Sequence, residues 1–221
     1  METFTYKEIL QQPSCWIKEY EVLLEEKTRI QAFLEKYLTN ETDIVLTGAG
    51  TSAFIGDAIA PLLRGVWKNV RAVATTDIVT NAADYLVADK PLLLISFARS
   101  GNSPESVAAV NLANAICKNV AHIYITCNKN GHLAQSANAE NILSLLLPEE
   151  TDDKSLAMTS SFSTMLLTCL MISQIDHIEA ERDRIEAVAA NAQAVLSDYA
   201  AAIEAIAARP FERGVFLGSG P

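Results

Sequence analysis

Residues 92–115 read LLLISFARSGNSPESVAAVNLANA. An apolar run ends at Ala98, four small polar residues (Ser100, Gly101, Asn102, Ser103) follow, and a helical pattern starts at once. Ser103 suits an N-cap, Pro104 suits a first helical position where its missing N–H costs nothing, and Glu105 is favourable in the first turn. A strand with no polar alternation is buried on both faces, which implies a parallel sheet covered by helices.

The pattern repeats on either side. DIVLTGAG (43–50) reads as a first strand and TSAFIGDAIAPLLRG as its helix, stopping near Gly65. VRAVATTDI (70–78) reads as a second strand, PLLLISFA (91–98) as the third, VAHIYITCN (120–128) as the fourth and NILSLLLP (141–148) as the fifth. Shorter helices are expected between strands two and three and between four and five. The expectation is an α/β fold with a five-stranded parallel sheet flanked by helices, a flavodoxin-like three-layer sandwich. Leading helices precede it over residues 1–40, where Trp16, Tyr20, Leu23, Leu24, Ile30, Phe33, Leu34, Tyr37 and Leu38 keep helical spacing. After the charged turn PEETDDKS (148–155), TSSFSTMLLTCLMISQI reads as a helix. An Ala-rich helix then carries a stripe of Ile185, Val188, Ala192, Val195, Leu196, Tyr199 and Ile203 up to about residue 208. The closing RGVFLGSGP repeats the style of DIVLTGAGTS, so residues 209–221 read as the first strand of a truncated second repeat, after a domain spanning 41–208.

Composition narrows the function. The chain has 221 residues, half of them apolar, and a formal net charge of -10. It supplies no basic stripe for nucleic acid or an anionic membrane surface. Its apolar runs are too short to span a bilayer and METFTYKEIL is no signal sequence, so a cytoplasmic protein is expected. Cys15, Cys117, Cys127 and Cys169 show neither disulfide nor zinc spacing and read as buried thiols; no metal is expected.

In an open parallel sheet ligands bind beyond the carboxyl ends of the strands. Two turns stand there: Gly48, Gly50, Thr51 and Ser52 after strand one, and Arg99, Ser100, Asn102 and Ser103 after strand three. Either turn alone reads first as a structural turn. Together they would line a cleft with hydroxyls and backbone N–H groups, chemistry suited to a phosphate. Hydrogen bonds to a charged group are worth roughly 1.5–3 kcal/mol each, so three or four hold a phosphoester despite the acidic surface. Arg99 reads equally as an exposed surface pair. GAGTSA also fits G-x-G-x-x-A, a dinucleotide fingerprint, but Asp77 does not directly close strand two, and the third-strand turn has no role in that scheme. No cofactor is expected.

GAGTSAFIGD followed by ISFARSGNSPES closely resembles the sugar isomerase (SIS) domain family, together with TTDIVTNAADYL, LLLISF, ITCN and AMTSSFSTM along nearly the whole chain. The resemblance implies a phosphosugar isomerase or deaminase acting on a hexose or hexosamine 6-phosphate of the tagatose or galactosamine type. The reaction would be aldose–ketose isomerisation, with or without release of ammonia. It places the phosphate on Thr51, Ser52, Ser100 and Ser103, beside Gly50 and Asn102 of the same turns, with Arg99 where some relatives carry glutamine, and Thr159, Ser160 and Ser161 near the sugar. Ala98 and Ser160 depart from those relatives, which carry serine and lysine there. The relatives have two such domains in tandem, take their glutamate base from the second and a histidine from a neighbouring subunit. The catalytic groups are accordingly expected beyond Pro221 and the protein is expected to be a homodimer or higher homo-oligomer. Within this chain Asp57 and Glu105 are the carboxylates that could reach. Of the histidines, His122 reads as core or edge, His177 as helical and exposed, and His132 alone lies in a loop on the carboxyl side. A phosphosugar sensor without catalysis is the alternative; no basic DNA-binding segment precedes the sheet.

Overall fold

Each apolar run around the quoted stretch finds a parallel neighbour. The computed structural model describes residues 3–215, 217 and 218. In it β1 (Asp43–Gly48), β2 (Val70–Ala72), β3 (Leu92–Ala98), β4 (Val120–Thr126) and β5 (Ile142–Leu146) form one sheet in the order β2-β1-β3-β4-β5, with every pair parallel. The helices are α1 (Phe4–Tyr37), α2 (Ala53–Leu63), α3 (Thr75–Thr80), α4 (Ala82–Tyr85), α5 (Pro104–Ile116), α6 (His132–Gln135), α7 (Ser160–Ser173), α8 (Arg182–Asp198) and α9 (Ala200–Ala207).

Alternation along the strands sorts the core into two layers. Ile44, Leu46, Leu93, Ile95, Phe97, Ile123 and Ile125 pack against Tyr20 and Ile30 of α1, Ile55 and Ile59 of α2, and Met165, Cys169 and Ile172 of α7. Val45, Leu94 and Tyr124 face the other way, onto Ile78 of α3 and Ala109, Val110 and Ala113 of α5. Each fully buried aliphatic side chain stabilises the sandwich by about 1.5–3 kcal/mol relative to exposure. All four cysteines are free and buried, as expected; burial raises the thiol of Cys127 to about 12.

Several boundaries differ from the sequence reading. The second strand stops at Ala72, not 78, because the chain turns into α3 where the buried Thr75 hydroxyl donates to the Gly48 carbonyl (3.1 Å). The first strand ends at Gly48, and Gly50–Ser52 forms a 3-10 turn; the fourth and fifth strands end at Thr126 and Leu146. The leading helices are one helix of 34 residues running through Pro13. Proline has no N–H for the Ile9 carbonyl, and the Gln12 side-chain amide donates to that carbonyl instead (3.2 Å). The Ala-rich helix breaks at Tyr199 (φ -103°, ψ 0°), just after Ser197, whose hydroxyl hydrogen-bonds the Gln193 carbonyl (3.1 Å). Of its expected stripe only Ile185 is buried; Val188, Val195, Tyr199 and Ile203 are exposed. His177 is exposed, as expected, but its backbone is not helical (φ -123°, ψ 19°). The strand expected in RGVFLGSGP involves Phe216 and residues 219–221, which lie outside the described residues; the described ones there form no strand.

A titratable carboxyl is packed into the core between α1 and α7. Glu19 of α1 accepts from the Thr168 hydroxyl of α7 (2.8 Å), and its second oxygen has no partner among the described residues. Burial raises its carboxyl from 4.5 to about 8, against the opposing Thr168 bond. Because the folded value lies above the unfolded one, the stability tied to the neutral form is complete below pH 4.5 and is lost as pH rises towards 8. Glu19→Gln is permanently neutral, so its melting temperature should fall less than the wild type's between about pH 5 and about pH 9. Equal falls in the two proteins would show that Glu19 titrates normally.

Candidate functional site

The chain leaves β1 towards β2 at one edge and leaves β3 towards β4 on the opposite side, although β1 and β3 are hydrogen-bonded neighbours. A crevice opens beyond their carboxyl ends. A cleft of about 110 Å³ lies there, lined by Ala49, Ser52, Phe97, Ala98, Arg99, Ser100, Ser103, Ser106 and Met158. The two hydroxyl-rich turns therefore meet, one strand apart, as their positions in sequence suggested.

The turn after β3 is held from behind. Gly101 takes φ +65°, a left-handed conformation that L side chains rarely adopt. The Ser100 carbonyl accepts from the Asn128 side chain (3.1 Å), the Gly101 carbonyl from Leu133 N–H (3.1 Å), and the Asn102 side chain from His132 N–H (2.8 Å). These bonds dock the loop on the segment after β4. The His132 side chain is exposed and does not line the cleft. Ser103 is the N-cap residue of α5, but its side chain makes no capping bond; its hydroxyl donates to Ser106 (2.6 Å) instead. Pro104 has no N–H and the Ser106 N–H donates to the Ser103 carbonyl (3.1 Å), so the α5 N-terminus offers the cleft mainly its positive dipole end.

Of the expected site residues, Ser52, Arg99, Ser100 and Ser103 line the cleft. Gly50 and Thr51 form the exposed start of the 3-10 turn, and Asn102 is exposed and outside the lining. Thr159, Ser160 and Ser161 do not line it. The Ser160 and Ser161 hydroxyls and the Thr159 and Ser161 N–H groups all donate to the buried carboxylate of Asp153, which fixes the start of α7. From that segment Met158 reaches the cleft, its sulfur 3.9 Å from the Ser52 hydroxyl. Ser106 and Met158 are the additions to the sequence reading. Ser106 was findable, one helical turn after Ser103; Met158 arrives only through tertiary folding. Asp57 is exposed on α2 and Glu105 half-buried on α5. His122 is core: fully buried in β4, bonded to Asn114 (2.9 Å), and lowered to about 4 by burial, hence neutral.

Arg99 is the charged residue of the cleft lining. The Arg99 guanidinium donates to the Ser155 carbonyl (3.1 Å). Lys154 is raised mainly by its bond to Asp152 (2.8 Å), and the charge of Arg99 opposes that rise, so two cations stand near each other. A larger groove of about 750 Å³ lies elsewhere, between α1, α2, α7 and α8. Its walls are mostly apolar (Leu62, Val66, Phe162, Leu166, Leu170 and Val188), with Gln174, Glu181 and Arg184 among them, and include neither hydroxyl-rich turn.

The sequence matches the SIS domain over residues 37–173. The chain belongs to the SIS domain family. It is 48% identical over 224 residues to D-galactosamine-6-phosphate deaminase AgaS of Escherichia coli, an alignment covering 99% of this chain and 57% of that protein. It is 42% identical to the D-galactosamine-6-phosphate deaminase AgaS of a Shewanella species, with 99% and 56% covered. Among solved structures, tagatose-6-phosphate ketose/aldose isomerase from Escherichia coli superposes with a TM-score of 0.83 at 48% identity, over 89% of this chain and 54% of that one. The C-terminal domain of glucosamine-fructose-6-phosphate aminotransferase from Francisella tularensis, 17% identical with a TM-score of 0.75, shares the fold. This SIS chain therefore spans just over half the length of the curated relatives it matches.

Gly131 packs against the cleft loop so closely that a Cβ there would sit 2.3 Å from the Ser100 carbonyl oxygen. Gly131→Ala must push the Ser100 loop out of place, at a cost of about 1–3 kcal/mol in stability. It should lower the melting temperature and weaken anion binding together. A variant that melts and binds like the wild type would show that the loop is not held as described.

Proposed function

We propose that the β1/β3 cleft grips the phosphoryl group of a phosphosugar. The observation that carries the reading is the meeting of two side-chain-poor, hydroxyl-bearing turns at the topological switch point, with Arg99 in the lining. Ser52, Ser100 and Ser103 supply hydroxyls, and the α5 N-terminus and the Gly50–Ser52 turn supply backbone dipoles. A cleft of about 110 Å³ is small beside the ~300–1,000 Å³ of pockets that take whole ligands. It is the size of a phosphate subsite.

The sugar and the chemistry are inferred from the relatives. Their names support an enzyme that isomerises or deaminates a hexose or hexosamine 6-phosphate, and none of the names quoted above is that of a sensor. Moving a proton between C1 and C2 needs a base within hydrogen-bond reach of the sugar. The hydroxyls of the cleft are poor bases near neutral pH, and Asp57 and Glu105 do not line it. We assign the base to residues outside this chain, in a second domain of the same kind that residues 209–221 begin. The support is that the relatives are far longer than the aligned segment. A cytoplasmic homodimer or higher homo-oligomer completes the proposal. It is supported by the family resemblance and by the exposed apolar residues Val188, Val195, Tyr199, Ile203 and Ile206, which a partner would cover. Among the described residues no helix is long and apolar enough to cross a membrane.

Calorimetric titration with galactosamine 6-phosphate checks the binding step. Ser100→Ala should weaken binding about ten- to a hundredfold with little change in melting temperature, since a half-exposed loop hydroxyl contributes mainly to the charged ligand. NAD should neither bind nor compete. Unchanged affinity with a large loss of stability would make Ser100 a structural residue and remove the reading.

A further inference from the structure

Glu8 lies near the start of α1, remote in sequence from both turns, yet only 5% of it is exposed. Its carboxylate faces the segment before α7. One oxygen accepts from the N–H groups of Lys154 (2.5 Å) and Ser155 (3.1 Å); the other accepts from the Ser155 hydroxyl. Three donors on one buried carboxylate make a rigid anchor, since each bond is charge-assisted and water is excluded. The anchored residue is the one whose carbonyl accepts from the Arg99 guanidinium (3.1 Å).

We propose that Glu8 is a positioning residue of the anion cleft: by fixing Ser155 it sets the carbonyl that aims the Arg99 guanidinium at a bound phosphoryl group. The inference rests on the phosphate reading above. An arginine has long, freely rotating stems, so a guanidinium with no fixed acceptor must be ordered by the ligand itself, and that ordering is subtracted from affinity. Holding one N–H on a backbone carbonyl orders the side chain in advance and leaves its other donors for the ligand. A leading helix outside the sheet would thereby take part in binding without touching the ligand.

A double-mutant cycle separates this role from simple stapling of the segment to α1. Affinity for inorganic phosphate and for galactosamine 6-phosphate is measured by calorimetry in the wild type, Glu8→Ala, Arg99→Met and the double variant, with melting temperatures alongside. Glu8→Ala should weaken binding about three- to tenfold, the fold-change for one side chain that must be newly immobilised. In the Arg99→Met background the same change should have no effect on affinity, while any effect on melting temperature persists. Ser155→Ala removes the hydroxyl anchor but keeps the carbonyl, and it carries the same comparison should Glu8→Ala fail to fold. If Arg99→Met weakens binding but the Glu8 effect is absent or simply additive, the positioning role is overturned and the phosphate reading stands. If Arg99→Met binds phosphate as the wild type does, the phosphate reading fails at Arg99 and this inference falls with it.

Discussion

Two adjacent parallel strands whose connections depart in opposite directions cannot have the space between their ends closed by their own helices. That constraint governs this protein. With β1 and β3 side by side in the order β2-β1-β3-β4-β5, α2 and α5 start on opposite sides of one crevice. The sheet register fixes which residues meet there: Gly48 is level with Phe97, so the turns that follow both strands open at the same height. The crevice exists because of topology; what it binds depends on the few side chains placed at its edge.

An anion site on a chain of net charge -10 needs a quantitative reason. Charges more than about 8–10 Å away are largely screened at physiological salt. A cation at about 4 Å contributes roughly 4 kcal/mol at an effective dielectric constant near 20. Local groups therefore win over net charge. Arg99 lines the cleft and α5 starts beside it, while Lys154 is paired with Asp152 and pairs such as Lys27–Glu179 and Arg182–Glu21 lie among α1, α8 and the segment between α7 and α8. The buried carboxylates near the site are turned away from it. Asp153 is bound to the start of α7 and Glu8 to Lys154 and Ser155.

The architecture was readable because its signals are short-range. Unbroken apolar runs such as LLLISFA, each followed by a polar turn and a helix start, report a buried parallel strand from local pattern alone. The Ser100 and Ser52 turns were readable for the same reason. What escaped depended on contacts between distant segments. Val70–Ala72 ends early because Thr75 bonds to Gly48. Pro13 stays helical because Gln12 replaces the missing donor. The family resemblance puts Ser160 and Ser161 near the sugar; that their hydroxyls donate to Asp153 shows only in the folded chain. Met158 and Glu8 reach the cleft region through the segment before α7, which no periodicity announces.

The central claim is that a phosphoryl group sits between the two turns. Backbone amide chemical-shift mapping during titration with galactosamine 6-phosphate tests it most directly, because it locates the ligand without assuming a reaction. The account predicts that the largest shifts fall on residues 50–53, 99–106 and 155–158, and that inorganic phosphate alone reproduces those in the first two groups. Shifts gathered instead along the apolar groove of α2, α7 and α8, with the two turns unmoved, would contradict it.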